Sequence, residues 1–118
     1  MTEFLLLFRN ASAANGYLAT SEQMAADMPR WQNWIAQIAQ QGKLVSTAPM
    51  QYEAAVVSQD GIAQGHPVKD ATSVLVSGYL ICKGESLAEI EEWSKGCPVL
   101  QYPSSSVEIR PLVSFPVN

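Results

Sequence analysis

The sequence predicts an α+β domain in which two helices cover one face of a sheet of four or five strands. Three observations carry this reading. The apolar patterning runs strand, helix, two or three strands, helix, strand. Only two stretches carry helix start and stop signals, and two helices cover one face of such a sheet. The first strand and the longest strand are nevertheless apolar on both sides, so the second face needs a cover as well.

EFLLLFR (3–9) is the first strand, with Phe4, Leu6 and Phe8 on one face and Leu5 and Leu7 on the other. The small, polar run at 10–19 is a loop. TSEQ then opens a helix with a capping box, Thr20 against Gln23. Met24, Met28, Trp31, Ile35 and Ile38 form its apolar stripe and Gly42 its stop. Pro29 interrupts the pattern, which predicts a kink or a restart capped by Asp27.

KLVSTAPM (43–50) is a short extended segment. EAAVV (53–57) and 62–65 pair through SQDG, where Asp60-Gly61 suits a type I′ turn. SVLVSGYLIC (73–82) is the longest strand. Val74, Val76, Leu80 and Cys82 are assigned to one face, Leu75, Tyr79 and Ile81 to the other, and Gly78 permits a bulge. SLAE (86–89) opens the second helix, capped by Ser86, with Leu87, Ile90 and Trp93 as its stripe and Gly96 and Pro98 at its end. VEIRPLV (107–113) closes the chain's pattern, with Val107 and Ile109 on one face and Glu108 and Arg110 on the other.

The expected cover for the second face is another copy of the chain, since homodimers are the commonest oligomers. Two sheets packed face to face would form a barrel with the helices outside and Glu108 and Arg110 towards its interior. A length of 118 residues suits one domain, and 47% apolar with 15% charged residues marks a globular chain. The net charge of −4, without a basic run, argues against nucleic acid and against an anionic membrane surface. FLLLF (4–8) is too short for a signal peptide or a membrane helix and reads as a strand of a cytoplasmic protein.

Cys82 and Cys97 have no metal-ligand spacing and read as inert, buried thiols; no metal and no cofactor is expected. His66, the only histidine, stands four residues before Asp70. Oriented by that carboxylate, it would be a general base or ligand donor at the barrel mouth; otherwise GHPVKDA is a solvated loop fixed by Pro67. Arg110 and Arg9 can each bind an anionic ligand or pair with Glu108 or Glu3. Tyr79 and Trp34 are pocket walls or packing residues.

GHPVKDATSVLVSGYLICKGESLAEIEEWSKGCPVL followed by SSVEIRPL resembles the YCII-related, DGPF-domain proteins. The matching residues are Gly78-Tyr79, the helix start at Ser86, Gly96-Cys97-Pro98 and Val107-Glu108-Ile109-Arg110-Pro111. Met24, Gly42, Leu44 and Pro49 follow the family more loosely, so the likeness spans the single domain 1–118. It implies a ferredoxin-like antiparallel sheet that dimerises into an α+β barrel. Related barrels include cofactor-independent oxygenases and isomerases, and some family members accompany alternative sigma factors.

This chain departs from the family where Asp-Gly-Pro-Phe is replaced by Gly65-His66-Pro67-Val68. A His–Asp site proposed in YCII-type relatives draws its histidine from the first helix, which has none here. The expectation is a cytoplasmic homodimer with a pocket for a small organic ligand and, if it reacts at all, metal-free acid–base chemistry. The alternatives are a non-catalytic binding or regulatory module contacting a protein partner, or a dimer that holds a metabolite without turnover.

Overall fold

A computed structural model describes residues 1–11, 21–51, 53–65 and 74–115. In chain order the elements are β1 (Thr2–Ala11), α1 (Ser21–Gln40), β2 (Leu44–Pro49), β3 (Ala54–Ser58), β4 (Gly61–Gly65), β5 (Val74–Gly84), α2 (Leu87–Ser94) and β6 (Ser106–Pro111); a 3-10 turn, Pro98–Gln101, precedes β6. Four strands form one antiparallel sheet in the order β2-β5-β1-β6, which is the ferredoxin-like arrangement. The β3–β4 hairpin does not join it and forms a two-stranded sheet of its own. None of the described helices is long and apolar enough to cross a membrane.

Both helices lie on one face of the four-stranded sheet. Phe4, Leu6 and Phe8 of β1 and Leu80 and Cys82 of β5 pack with Trp34 and Ile38 of α1, Ile90 of α2, and Cys97 and Val99. Val107, Ile109 and Leu44 border this core. Each large side chain withdrawn from water here contributes about 1.5–3 kcal/mol. Phe8, Trp31 and Trp34 meet edge to face, with centroids 4.9 and 5.9 Å from Phe8.

Helix α1 runs through Pro29 without a second start. Proline deprives the carbonyl four residues earlier of its donor, but Ala25 is exposed and water can serve it. Asp27 does not act as a cap; its carboxylate accepts from the Tyr102 hydroxyl. Met28 is 50% exposed, so it lies off the buried stripe, and Trp34 takes its centre. Gly42, with φ +72°, ends the helix, its N–H donating to the Ala39 carbonyl at 2.9 Å. In α2 the Glu89 N–H donates to Ser86 Oγ at 3.2 Å, as the capping box predicts. The Glu89 carboxylate instead accepts from the Glu85 N–H, at 2.9 Å, and from the Lys43 ammonium. Those contacts, Lys43 foremost, hold its carboxyl below the usual range. Leu87 is exposed, so Ile90, Trp93 and Ser94 make the inner side of α2.

Two strand expectations are corrected. Ser77 is an extra residue on β5: Phe8 pairs with Gly78 and Arg9 with Val76. The strand changes faces there, so Leu75 joins the Leu80 side opposite Asn10, while Val76 joins Tyr79 and Ile81. The bulge is held by the Ser77 hydroxyl against Asn10 Oδ1 at 2.6 Å, next to the Phe8 carbonyl at 3.3 Å. In the hairpin, Ser58 pairs with Gly61, so Gln59 and Asp60 are the connecting residues. Neither has positive φ, which excludes type I′; the positive φ, +129°, falls on Gly61.

Candidate binding face

The face of the sheet opposite the helices carries three rows of side chains fixed by strand register. Ser46, Ile81, Leu5 and Arg110 form one. Ala48, Tyr79, Leu7 and Glu108 form the next, and Val76, Arg9 and Ser106 the third. Leu5, Leu7, Tyr79 and Ile81 make a contiguous apolar centre that is only half-buried in a single chain. The Tyr79 hydroxyl and Ser46 Oγ share a hydrogen bond of 2.9 Å across one edge of that centre.

Charge lines the other edge. Arg110 Nη1 donates to Glu108 Oε2 at 3.2 Å, and Arg9 Nη1 stands 3.8 Å from Glu108 Oε1. One carboxylate therefore serves two guanidiniums. A net positive charge remains, and among the described residues most of the fork donors on both arginines have no protein acceptor. Such forks take a carboxylate or another oxyanion bidentately. The arrangement can hold a small flat apolar body on the leucines, Tyr79 and Ile81, with an anionic group towards the arginines.

The structure thus brings Arg9, Arg110 and Tyr79 to one face. Trp34 is not with them: it is 6% exposed in the core on the other side of the sheet, and its Nε1–H donates to the Trp93 carbonyl at 2.9 Å. It also walls a shallow cleft of about 380 Å³ between α1 and the 3-10 turn, with Arg30, Asn33, Gln37 and Pro98. His66 and Asp70 lie outside the described residues. The segment that carries them is flanked by Gly65 and by Val74, which pairs with Ala11 at the Arg9 end of the sheet. Leu5, Leu7, Ile81 and Ser46 share this candidate face, and sequence alone does not single them out for it. The alternation along the first strand carried the signal for the leucines, whereas Ser46 is placed by a register shift between Leu44 and Ser46 that no pattern announces.

No protein-family profile matches the chain, and no curated protein matches it. Among solved structures the chain is similar to 5-chloro-2-hydroxyhydroquinone dehydrochlorinase (TftG) from Burkholderia phenoliruptrix AC1100, in its complex with 2,5-dihydroxybenzoquinone. Identity is 13%, the match covers 89% of this chain and 90% of that chain, and the TM-score is 0.48. A likeness that distant brings neither substrate nor chemistry to the face described above.

Neither thiol supplies an activated nucleophile. Burial, then the negative charge of Glu89, pushes the Cys82 thiol up to about 11. Burial pushes Cys97 up to about 12, against a lowering contribution from the Val99 backbone. Both lie far above the ordinary value of 9.0, so the native thiols stay protonated where unfolded ones ionise. The sign follows: a raised native pKa gives stability that is complete below pH 9.0 and is lost as pH climbs towards about 11 and about 12. We expect a disulfide reagent at pH 8 to find no reactive thiol in the folded protein and two in urea. Prompt reaction of either in the native state would contradict the burial.

Proposed function

We propose that the chain works as a cytoplasmic homodimer of the YCII/DGPF type, whose two sheets face each other and enclose a site for a small organic anion. The observation that supports this most directly is the half-buried apolar centre of Leu5, Leu7, Tyr79 and Ile81, bordered by the Arg9–Glu108–Arg110 group. A solvated outer face would show polar alternation there. Arg110 and Arg9 would bind the anionic group of the ligand, and Tyr79 would wall the site. In this reading His66, held by Asp70, stands at the barrel mouth as general base, and any reaction is metal-free proton transfer.

A thermal-shift screen against small aliphatic and aromatic carboxylates tests the site, run on the wild type and on Arg110→Ala. The expected outcome is stabilisation of the wild type by one group of carboxylates and at least about a tenfold loss of affinity in Arg110→Ala, the worth of one charge-assisted bidentate contact. No carboxylate effect on the wild type, or the same effect on both proteins, overturns the reading. The imidazole pKa of His66, followed by NMR in the wild type and in Asp70→Asn, tests the pair. A coupled carboxylate raises it, so removing Asp70 lowers it; coincident titrations dismiss the pair as catalytic machinery.

A further inference from the structure

The β3–β4 hairpin is the least explained part of the chain. Every residue of Ala54–Ser58 is exposed, as are 61–64. Val57 is 74% exposed and Ile62, directly opposite it, 69%. Val56, on the reverse side, is 49% exposed. Neither strand carries a charged residue: they read AAVVS and GIAQG. An isolated two-stranded hairpin is marginal in water, and an uncharged one with open edges invites pairing. Such a segment calls for a covering surface, and its own sheet does not supply one.

Area identifies the cover. The four main strands have 10, 6, 11 and 6 residues. At about 4.8 Å between strands and about 3.3 Å per residue, the open face offers roughly 500 Å². A stable two-copy contact takes about 800 Å² from each partner. One face of a hairpin with two five-residue strands adds roughly 160 Å². In a symmetric pair each copy gives one arm and receives another, which adds about 300 Å² and closes the gap. The arm also springs from the right place. It leaves the sheet after Pro49, opposite Gly78, at the end that carries Arg9 and Ser106, on the border of the open face.

We propose that the β3–β4 hairpin is a dimerisation arm that lays its Val57–Ile62 face on a second copy of this chain. The inference rests on the face-to-face dimer proposed above and adds a second contact to it. Each site would then have its mouth bordered by the partner's arm.

The test is sedimentation equilibrium of the wild type and of the double variant Val57→Asp, Ile62→Asp, with circular dichroism to follow folding. Because these side chains lie outside the core, the variant keeps its spectrum and its unfolding transition as a monomer. A dimer dissociation constant raised at least about tenfold supports the arm. An unchanged constant overturns it and leaves the barrel standing. A wild type that is monomeric at micromolar concentration overturns both. A photo-crosslinking benzoylphenylalanine at Val57 gives an independent readout in an otherwise native chain: covalent dimers are expected, and crosslinks confined within one chain overturn the proposal.

Discussion

Replacing Trp34 by alanine lowers the unfolding free energy by about 3–5 kcal/mol, the usual cost of removing a large aromatic from a core. Trp34 is the point at which α1 meets both the sheet and α2. Its ring stands edge to face with Phe8 at 5.9 Å and with Trp31 at 5.9 Å, and its Nε1–H donates to the Trp93 carbonyl, which also accepts from the Gly96 N–H. Alanine opens a cavity among residues that cannot close it without moving the helix, and it leaves that carbonyl with the Gly96 N–H, at 3.1 Å, in place of two donors. Trp34→Phe separates the two losses. It keeps most of the ring and forfeits the hydrogen bond, at about 1–2 kcal/mol. Urea unfolding followed by circular dichroism measures both. A cost for alanine below about 1 kcal/mol would show that α1 is anchored elsewhere, with Ile38 the next residue to test.

The second large effect is expected at Leu7. Leu7→Lys raises the dimer dissociation constant by at least about 100-fold, equivalent to about 2.7 kcal/mol. Leu7 occupies the middle of the open face, between Tyr79 on one side and Glu108 on the other. In a single chain a lysine there can reach Glu108 across the strand pair, so the monomer folds. In the proposed face-to-face dimer two ammonium groups would be driven into a seam that has lost its water, next to arginines of like charge. Sedimentation equilibrium reads the shift, and an unchanged constant would mean that the two sheets do not meet on this face.

Much of this fold was legible because its determinants are local. The capping serine of α2 and the terminal Gly42 are short-range chemistry, and the two-sided apolar character of β1 follows from a period of two. What escaped depends on non-local partners. Gly78 in SVLVSGYLIC permits a bulge without marking Ser77 as the extra residue, because the bulge is decided by Asn10 and Arg9 on the neighbouring strand. Met28 and Leu87 satisfy their helical stripes, yet each is exposed, because the width of the buried stripe is set by what packs against the helix and not by the helix alone. The arginine pairing was half visible: Glu108 and Arg110 stand two apart and share a face, but Arg9 joins them only through the β1–β6 register. An indole suits a pocket wall or a packing position equally, so sequence left Trp34 open between them; in the structure its ring is buried in the core and also borders the cleft between α1 and the 3-10 turn.

The bulge at Ser77 sets the phase of β5 for anyone who reads or rewrites it. Upstream, odd-numbered Leu75 is the inward residue; downstream, the inward residues are the even-numbered Gly78, Leu80 and Cys82. Tolerance to a charged substitution along the strand should therefore follow two interleaved combs displaced by one tooth. Deleting Ser77 would bring the combs into step: Gly78, Val76 and Leu75 would then alternate regularly, with Leu75 still inward opposite Asn10 and Val76 outward opposite Arg9.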